Sequence, residues 1–168
     1  RALSNLDIDR ETDADALARA AQVLSRTGAT EDARRAINRA MMLEPENPEL
    51  LNDAAAVEND AGEFADAKNY YSKIIDSHPR VAKAYFGYSQ LHTFSDGRDE
   101  DSVMIRRMEE ALRSGADDLP FLHFALGKVY SDLGRFDEAF RHLKIANEMR
   151  RLERPYSRAA DLQRARFC

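Results

Sequence analysis

The sequence predicts an all-α protein of stacked helical hairpins, a solenoid, and three observations carry that reading. A six-residue phrase recurs as Gly28-Ala29-Thr30-Glu31-Asp32-Ala33, Gly62-Glu63-Phe64-Ala65-Asp66-Ala67 and Gly134-Arg135-Phe136-Asp137-Glu138-Ala139. The first two copies lie 34 residues apart and the third lies 72 beyond the second; a fixed period in this range marks a repeat architecture. Between the glycines, apolar residues recur at i, i+3, i+4 and i+7, the spacing of one helix face. The chain has 168 residues, 43% hydrophobic and 33% charged, enough to bury one core while keeping solvated helix faces.

After a lead-in over residues 1–13, Leu17, Ala20, Ala21 and Leu24 form the first apolar stripe. Gly28 suits the left-handed turn that ends a helix. Ala33, Ala36, Ile37 and Ala40 form the returning stripe, with Thr30 or Asp32 expected to help start it. Pro45 stops that helix, because proline lacks an N–H and restricts the residue before it. The second unit starts at Pro48 and repeats the pattern with Leu51, Ala54, Ala55, Gly62, Phe64, Ala67 and Tyr71, ending at Pro79. Ala21 with Ala33, and Ala55 with Ala67, are small enough to let paired helices approach closely. The third unit opens near Ala82 with Tyr85, Tyr88, Ser89 and Leu91, then breaks over the polar stretch from Phe94 to Asp99. Two periods fall four residues short of the Ala67 to Ala139 spacing, and this stretch takes the surplus. A helix is expected to resume from about Asp101 to Arg113, with Met104, Met108 and Ala111 inward. The fourth unit is regular: Leu126, Gly127, Tyr130, Gly134, Phe136, Ala139, Leu143 and Ala146. The expected units are 14–47, 48–81, 82–116 and 117–151, followed by a helix or linker over 152–168.

No window approaches the apolar length of a membrane span, so no membrane association is expected. Cys168 is the only cysteine, which excludes an internal disulfide framework and a thiolate metal site and fits a cytoplasmic setting. The chain opens on Arg1 rather than Met, which leaves room for a removed export signal. The net charge of −5 is graded: residues 1–66 carry 7 Lys/Arg against 15 Asp/Glu, and residues 135–168 carry 9 against 5. The basic end lacks interleaved aromatics and any nucleic-acid motif, so no nucleic acid is expected. His78, His92, His123 and His142 read as scattered, with His123 at a packing position. Glu109-Glu110 and Asp117-Asp118 are sequence neighbours, which diverge on a helix rather than converge as an acid/base pair. No catalytic residue, metal site or cofactor is expected.

The spacing and the residues quoted above resemble the tetratricopeptide repeat, the family of 34-residue helix-turn-helix units. The resemblance covers about residues 14–151 and departs at Glu58, where an aromatic is usual, and at Ile74. It implies a right-handed superhelix that binds a protein or peptide on its concave surface. Carried onto this sequence, that surface comprises Gln22, Arg26, Asn52, Asn59, Lys83, Phe86, Gln90, Phe121, Phe124 and Lys128, with Phe94 beside them. Phe86 and Phe124 are the expected anchors and Asn52 and Gln90 the expected hydrogen-bonding groups. The alternative is that a helix over Tyr156–Cys168, or a further domain, covers these aromatics. Repeat arrays that clamp the C-terminal carboxylate of heat-shock chaperones place Lys, Asn and Arg where this chain has Ala18, Gln22, Asp53, Lys83 and Gly87. Only Lys83 matches, and Asp53 would repel a carboxylate.

The block Phe121–Lys128, Asp132–Phe140 and Ala146–Arg151, with Pro155-Tyr156 following, is similar to the last repeat before the catalytic domain in bacterial tetratricopeptide–sulfotransferase fusions. That resemblance implies a sulfotransferase domain beyond residue 168. The functional expectation is therefore a non-catalytic interaction scaffold; the alternatives are the accessory arm of a sulfotransferase and a self-association module.

Overall fold

The computed structural model describes residues 7–153, which form eight α-helices. They run α1 Ala14–Arg26, α2 Thr30–Leu43, α3 Pro48–Asp60, α4 Phe64–Ser77, α5 Ala82–Gln90, α6 Asp99–Arg113, α7 Leu119–Asp132 and α8 Phe136–Glu153. α8 takes in residues 152 and 153, and the rest of the helix or linker expected over 152–168 lies outside the described residues.

The first, second and fourth hairpin turns repeat one solution to the problem of unsatisfied helix-end carbonyls. Gly28 and Gly62 take φ of 81° and 83°, which costs glycine nothing. The chain then bonds back across the turn: Ala29 N–H donates to Leu24 O at 2.9 Å and Glu63 N–H to Glu58 O at 2.9 Å. The fourth unit makes the same bond from Arg135 to Tyr130, at 2.8 Å. The first helices of the first two units are capped conventionally: Asp13 Oδ1 accepts from Ala16 N at 3.1 Å, and Asn47 Oδ1 from Glu49 N at 2.9 Å ahead of Pro48. The expected capping by Thr30 or Asp32 does not occur. Ala29 holds the cap position, and Glu31 and Asp32 instead place negative charge in the first turn, facing the positive end of the helix dipole. α2 and α4 end two residues before Pro45 and Pro79.

Packing follows the small residues. Ala21 and Ala33, then Ala55 and Ala67, are almost fully buried where the first two hairpins close. In the fourth, a Cβ added to Gly127 would stand 2.6 Å from Leu143 Cδ2, so glycine sets how near α7 and α8 come. The third hairpin has no such pair. Ser89, Met104 and Met108 occupy its interior with Phe94, and α5 packs on α4 and α7 rather than closing on α6. Wider side chains hold helices farther apart, which is the physical form of the irregular repeat.

The inserted stretch is built around Asp101, which is 2% exposed. Its carboxylate sits 2.6 Å from His92 Nε2 and accepts from Ser95 N at 2.8 Å. Asp132 on α7 accepts from Phe94 N at 3.0 Å and pairs with Lys128, whose ammonium also donates to His92 O at 2.7 Å. These bonds turn Phe94 into the core, where it is 1% exposed. The helix expected from Asp101 begins two residues earlier, at Asp99, so that Asp101 lies in its first turn.

Glu58, where the repeat pattern expects an aromatic, faces Arg34 from the preceding hairpin. The guanidinium holds both carboxylate oxygens, with Nε at 3.1 and 3.0 Å and Nη2 at 2.6 Å. A forked ion pair thus fills the gap between units where a ring would pack, and it pushes the Arg34 pKa up.

Candidate interaction groove

The first helices of the four units line one face of the array, and three adjoining pockets run along it. The first, about 360 Å³, lies between α1 and α3 and is walled by Gln22, Ser25, Arg26, Asp53 and Asp60. The second, about 390 Å³, shares Gln22 and Asp53 with it and adds Glu49, Asn52, Lys83 and Asp117. The third, about 280 Å³, shares Asn52 and Lys83 with the second and is lined further by Asn59, Tyr71, Phe86, Gln90, Leu91 and Phe121. Shared walls make the three one continuous groove.

Eight of the ten residues expected from the sequence line it: Gln22, Arg26, Asn52, Asn59, Lys83, Phe86, Gln90 and Phe121. The other two are used differently. Phe124, partly buried, lines none of the three pockets and sets its ring edge-on to Phe86 at 6.3 Å. Lys128 is committed to Asp132 and to His92 O, which removes its charge from the groove. Phe94, expected beside them, is in the core for the reason given above.

The aromatic end is stiffened from below and from the side. Phe86 and Phe121 lie 5.3 Å apart, and the Arg150 guanidinium reaches back from α8 to stand 4.5 Å over the Phe121 ring. Arg150 is held there by Asp118 at 2.9 Å. Asp118 takes φ of 36°, a left-handed conformation uncommon for a residue with a Cβ. Tyr71 comes from a second helix and reaches the groove only because residue 87 is glycine: a Cβ there would stand 2.6 Å from Tyr71 Cε2 and closer still to Cζ.

At the polar end, Gln22 Nε2 donates to Asp53 Oδ2 at 3.0 Å, and Ser25 Oγ to Asp60 Oδ2 at 2.6 Å. Asp53 is half-buried. Desolvation pushes its pKa up, neighbouring Glu49 adds to that, and the Gln22 hydrogen bond and Lys83 oppose it. Asp117 Oδ1 accepts from Ala82 N at 2.7 Å, and Asp117 N–H donates to Arg80 O at 3.0 Å, so this acid also ties the α4–α5 turn to the α6–α7 turn.

Position in the repeat pointed to the residues on the first helices. It missed Tyr71, Leu91, Asp117 and Arg150, which enter from second helices or turns, and Glu49, which stands in the first turn of a first helix. The glycine at position 87, in a helix where alanine is favoured, was the available signal for Tyr71.

The histidines also differ from the sequence reading. His123 and His142 are not scattered: their Nδ1 atoms lie 2.9 Å apart between α7 and α8. Tyr130 stacks on His142 at 5.4 Å and donates its hydroxyl to Glu109 Oε1 at 2.9 Å. Burial pushes both imidazole pKa values down, and His142 is lowered further by His123 and Arg141. Among the described residues, no three His, Cys, Asp or Glu side chains gather as a metal site, and no helix is long and apolar enough to cross a membrane.

Comparison with known proteins agrees with the architecture. Residues 122–151 match the tetratricopeptide repeat family model. No curated protein matches the chain. Among solved structures, a thermophilic TPR protein of Thermus thermophilus is 22% identical, with 80% of this chain and 73% of that one aligned at a TM-score of 0.61. A MamA structure is 18% identical over 86% of this chain and 82% of its own, with a TM-score of 0.59. MamA from Desulfovibrio magneticus RS-1 gives 18% identity, 86% and 79% coverage, and a TM-score of 0.57. The fold is a tetratricopeptide superhelix.

Proposed function

We propose that this tetratricopeptide superhelix is a protein–protein interaction scaffold that holds an extended peptide segment along the groove of its first helices. The observation that carries the reading is the run of three pockets sharing Gln22, Asn52, Asp53 and Lys83, from amides and charges at one end to rigid rings at the other. Aromatic anchors beside adaptable amides form the kind of surface on which a few residues dominate binding. Phe86 and Phe121 are half-buried already and are held by Phe124 and Arg150, so little side-chain entropy is lost when a partner contacts them. The test is Phe86→Ala combined with Phe124→Ala. Partner capture should weaken while far-UV circular dichroism is unchanged, and unchanged capture refutes the groove.

A second reading is favoured by the last helix. Phe136 and Phe140 are 70% and 69% exposed on α8, at the end of the array where the sequence resembles the approach to a sulfotransferase domain. Under this reading the array is an accessory arm that positions an acceptor protein. Sequence beyond residue 168 decides it: a strand followed by a Gly/Ser/Thr phosphate loop supports the arm, and an unrelated continuation or a stop removes it.

A further inference from the structure

The groove is chemically two-sided, and the charges on its polar side are unbalanced. Asp53 is half-buried, and the group that donates to its carboxylate is the neutral amide of Gln22. Glu49 borders the same pocket, and among the described residues neither acid has a cation within ion-pairing distance. Lys83 is the one cation on that pocket's wall, and its ammonium lies 5.9 Å from the centre of the Phe121 ring, toward the aromatic side. Asp117 carries a further carboxylate whose hydrogen bond comes from a backbone N–H rather than from a cation. The adjoining pocket is apolar where Tyr71, Phe86, Leu91 and Phe121 meet, and Asn52 and Lys83 form the boundary between the two.

We infer that the groove selects a peptide in which an arginine or lysine neighbours an apolar residue, the cation seated against Asp53 and Glu49 and the apolar side chain between Tyr71, Phe86 and Phe121. This rests on the groove being the binding surface and specifies what it takes. A carboxylate partly removed from water and paired with a neutral donor gains more from an arriving cation than an exposed one does, because local screening is weaker. The same charges repel an acidic segment or a chain-terminal carboxylate, and a phosphate backbone likewise, so complementarity excludes as well as attracts. Asn52, between the two pockets, has both a donor and an acceptor for the backbone of an extended chain.

The experiment is selection from a random-decapeptide phage library on the immobilised full chain, with the Phe86→Ala/Phe124→Ala variant as counter-screen. Peptides retained by the wild-type chain and lost on the variant should be enriched in Arg and Lys and depleted in Asp and Glu. A synthetic selected peptide should bind Asp53→Asn about tenfold more weakly, since a charge-assisted contact becomes a neutral one. Citrulline in place of its arginine should lose at least that factor on the wild-type chain and clearly less on Asp53→Asn, where Glu49 is the acid left to meet the cation. Glu49→Gln, at an exposed position that cannot disturb packing, should weaken binding in the same direction. Selected peptides that depend on the aromatic pair but show no basic preference, or that ignore Asp53→Asn, overturn the charge assignment and leave the groove standing. If no selected peptide depends on the aromatic pair, the groove reading falls and this inference with it.

Discussion

Gly87→Ala sets two known effects against each other at one helical position, and the structure decides which prevails. Residue 87 lies inside α5 without a positive φ, so on propensity alone alanine should stabilise the helix by about 1 kcal/mol. The added methyl, however, would enter the Tyr71 ring, 2.6 Å from Cε2 and nearer to Cζ, against ordinary carbon contacts of about 3.5–4.0 Å. Overpacking of this kind costs about 1–3 kcal/mol. The ring cannot simply yield, because it is half-buried and packed against the central core cluster. The net expectation is a loss of about 0–2 kcal/mol, or a Tm lower by up to several degrees in a chain of this size. Thermal and urea unfolding followed by circular dichroism measure it.

The decisive arm is the same substitution in a Tyr71→Leu background. There the obstacle is gone and only the propensity gain remains, so Gly87→Ala should stabilise by up to about 1 kcal/mol. The sign change gives a coupling of about 1–3 kcal/mol between residues from different units. Stabilisation by Gly87→Ala in the wild-type background, or additive effects of the two substitutions, would refute the reasoning, because Tyr71 would then not depend on the glycine.

Three further outcomes are expected. Stability should fall as pH drops below about 6.5, because His123 and His142 hold folded-state pKa values below those of the unfolded chain, which therefore takes up protons first. The loss runs from about 6.5 down through the lowered folded values, with Arg141 opposing protonation of His142 and Glu109 favouring it; His142→Phe should flatten that stretch of the stability–pH curve, and an unchanged slope would place the titration elsewhere. Asp101→Asn should cost about 1–3 kcal/mol, since it weakens a buried acceptor of His92 and Ser95. Hydrogen exchange should then rise over residues 91–101 while α1–α3 stay protected, and uniform protection would remove Asp101 from its role as the organiser of the insertion. Glu58→Ala, which leaves the Arg34 guanidinium without its forked partner, should loosen the joint between the first two hairpins; amide exchange in α2 and α3 reports it, and unaltered exchange there would mean that apolar packing alone sets the joint.

The hairpins were legible because their cause is local and periodic: alanines at the close approaches, glycines at the turns and prolines at the stops each act within one unit. Eight groove residues were legible for the same reason, since position on a first helix is enough to aim a side chain at the inner face. What the sequence concealed is pairing between units. Glu58 showed only as a missing aromatic; its partner Arg34 is on the preceding hairpin. Phe94 and Lys128 were placed in the groove because the pattern was extended across the insertion, and the Asp101 and Asp132 hydrogen bonds drew both away from it. His123 looked like a packing residue and is one, but its contact with His142 follows from how closely Gly127 lets α8 approach. The histidines pair within one unit, but for Glu58 and for the Phe94 insertion a departure from the repeat in one unit is answered by a side chain in another. A stacked array is held by nearest-neighbour interfaces, so these paired departures are where one unit recognises the next. They distinguish this chain's order of units from any other arrangement of the same hairpins.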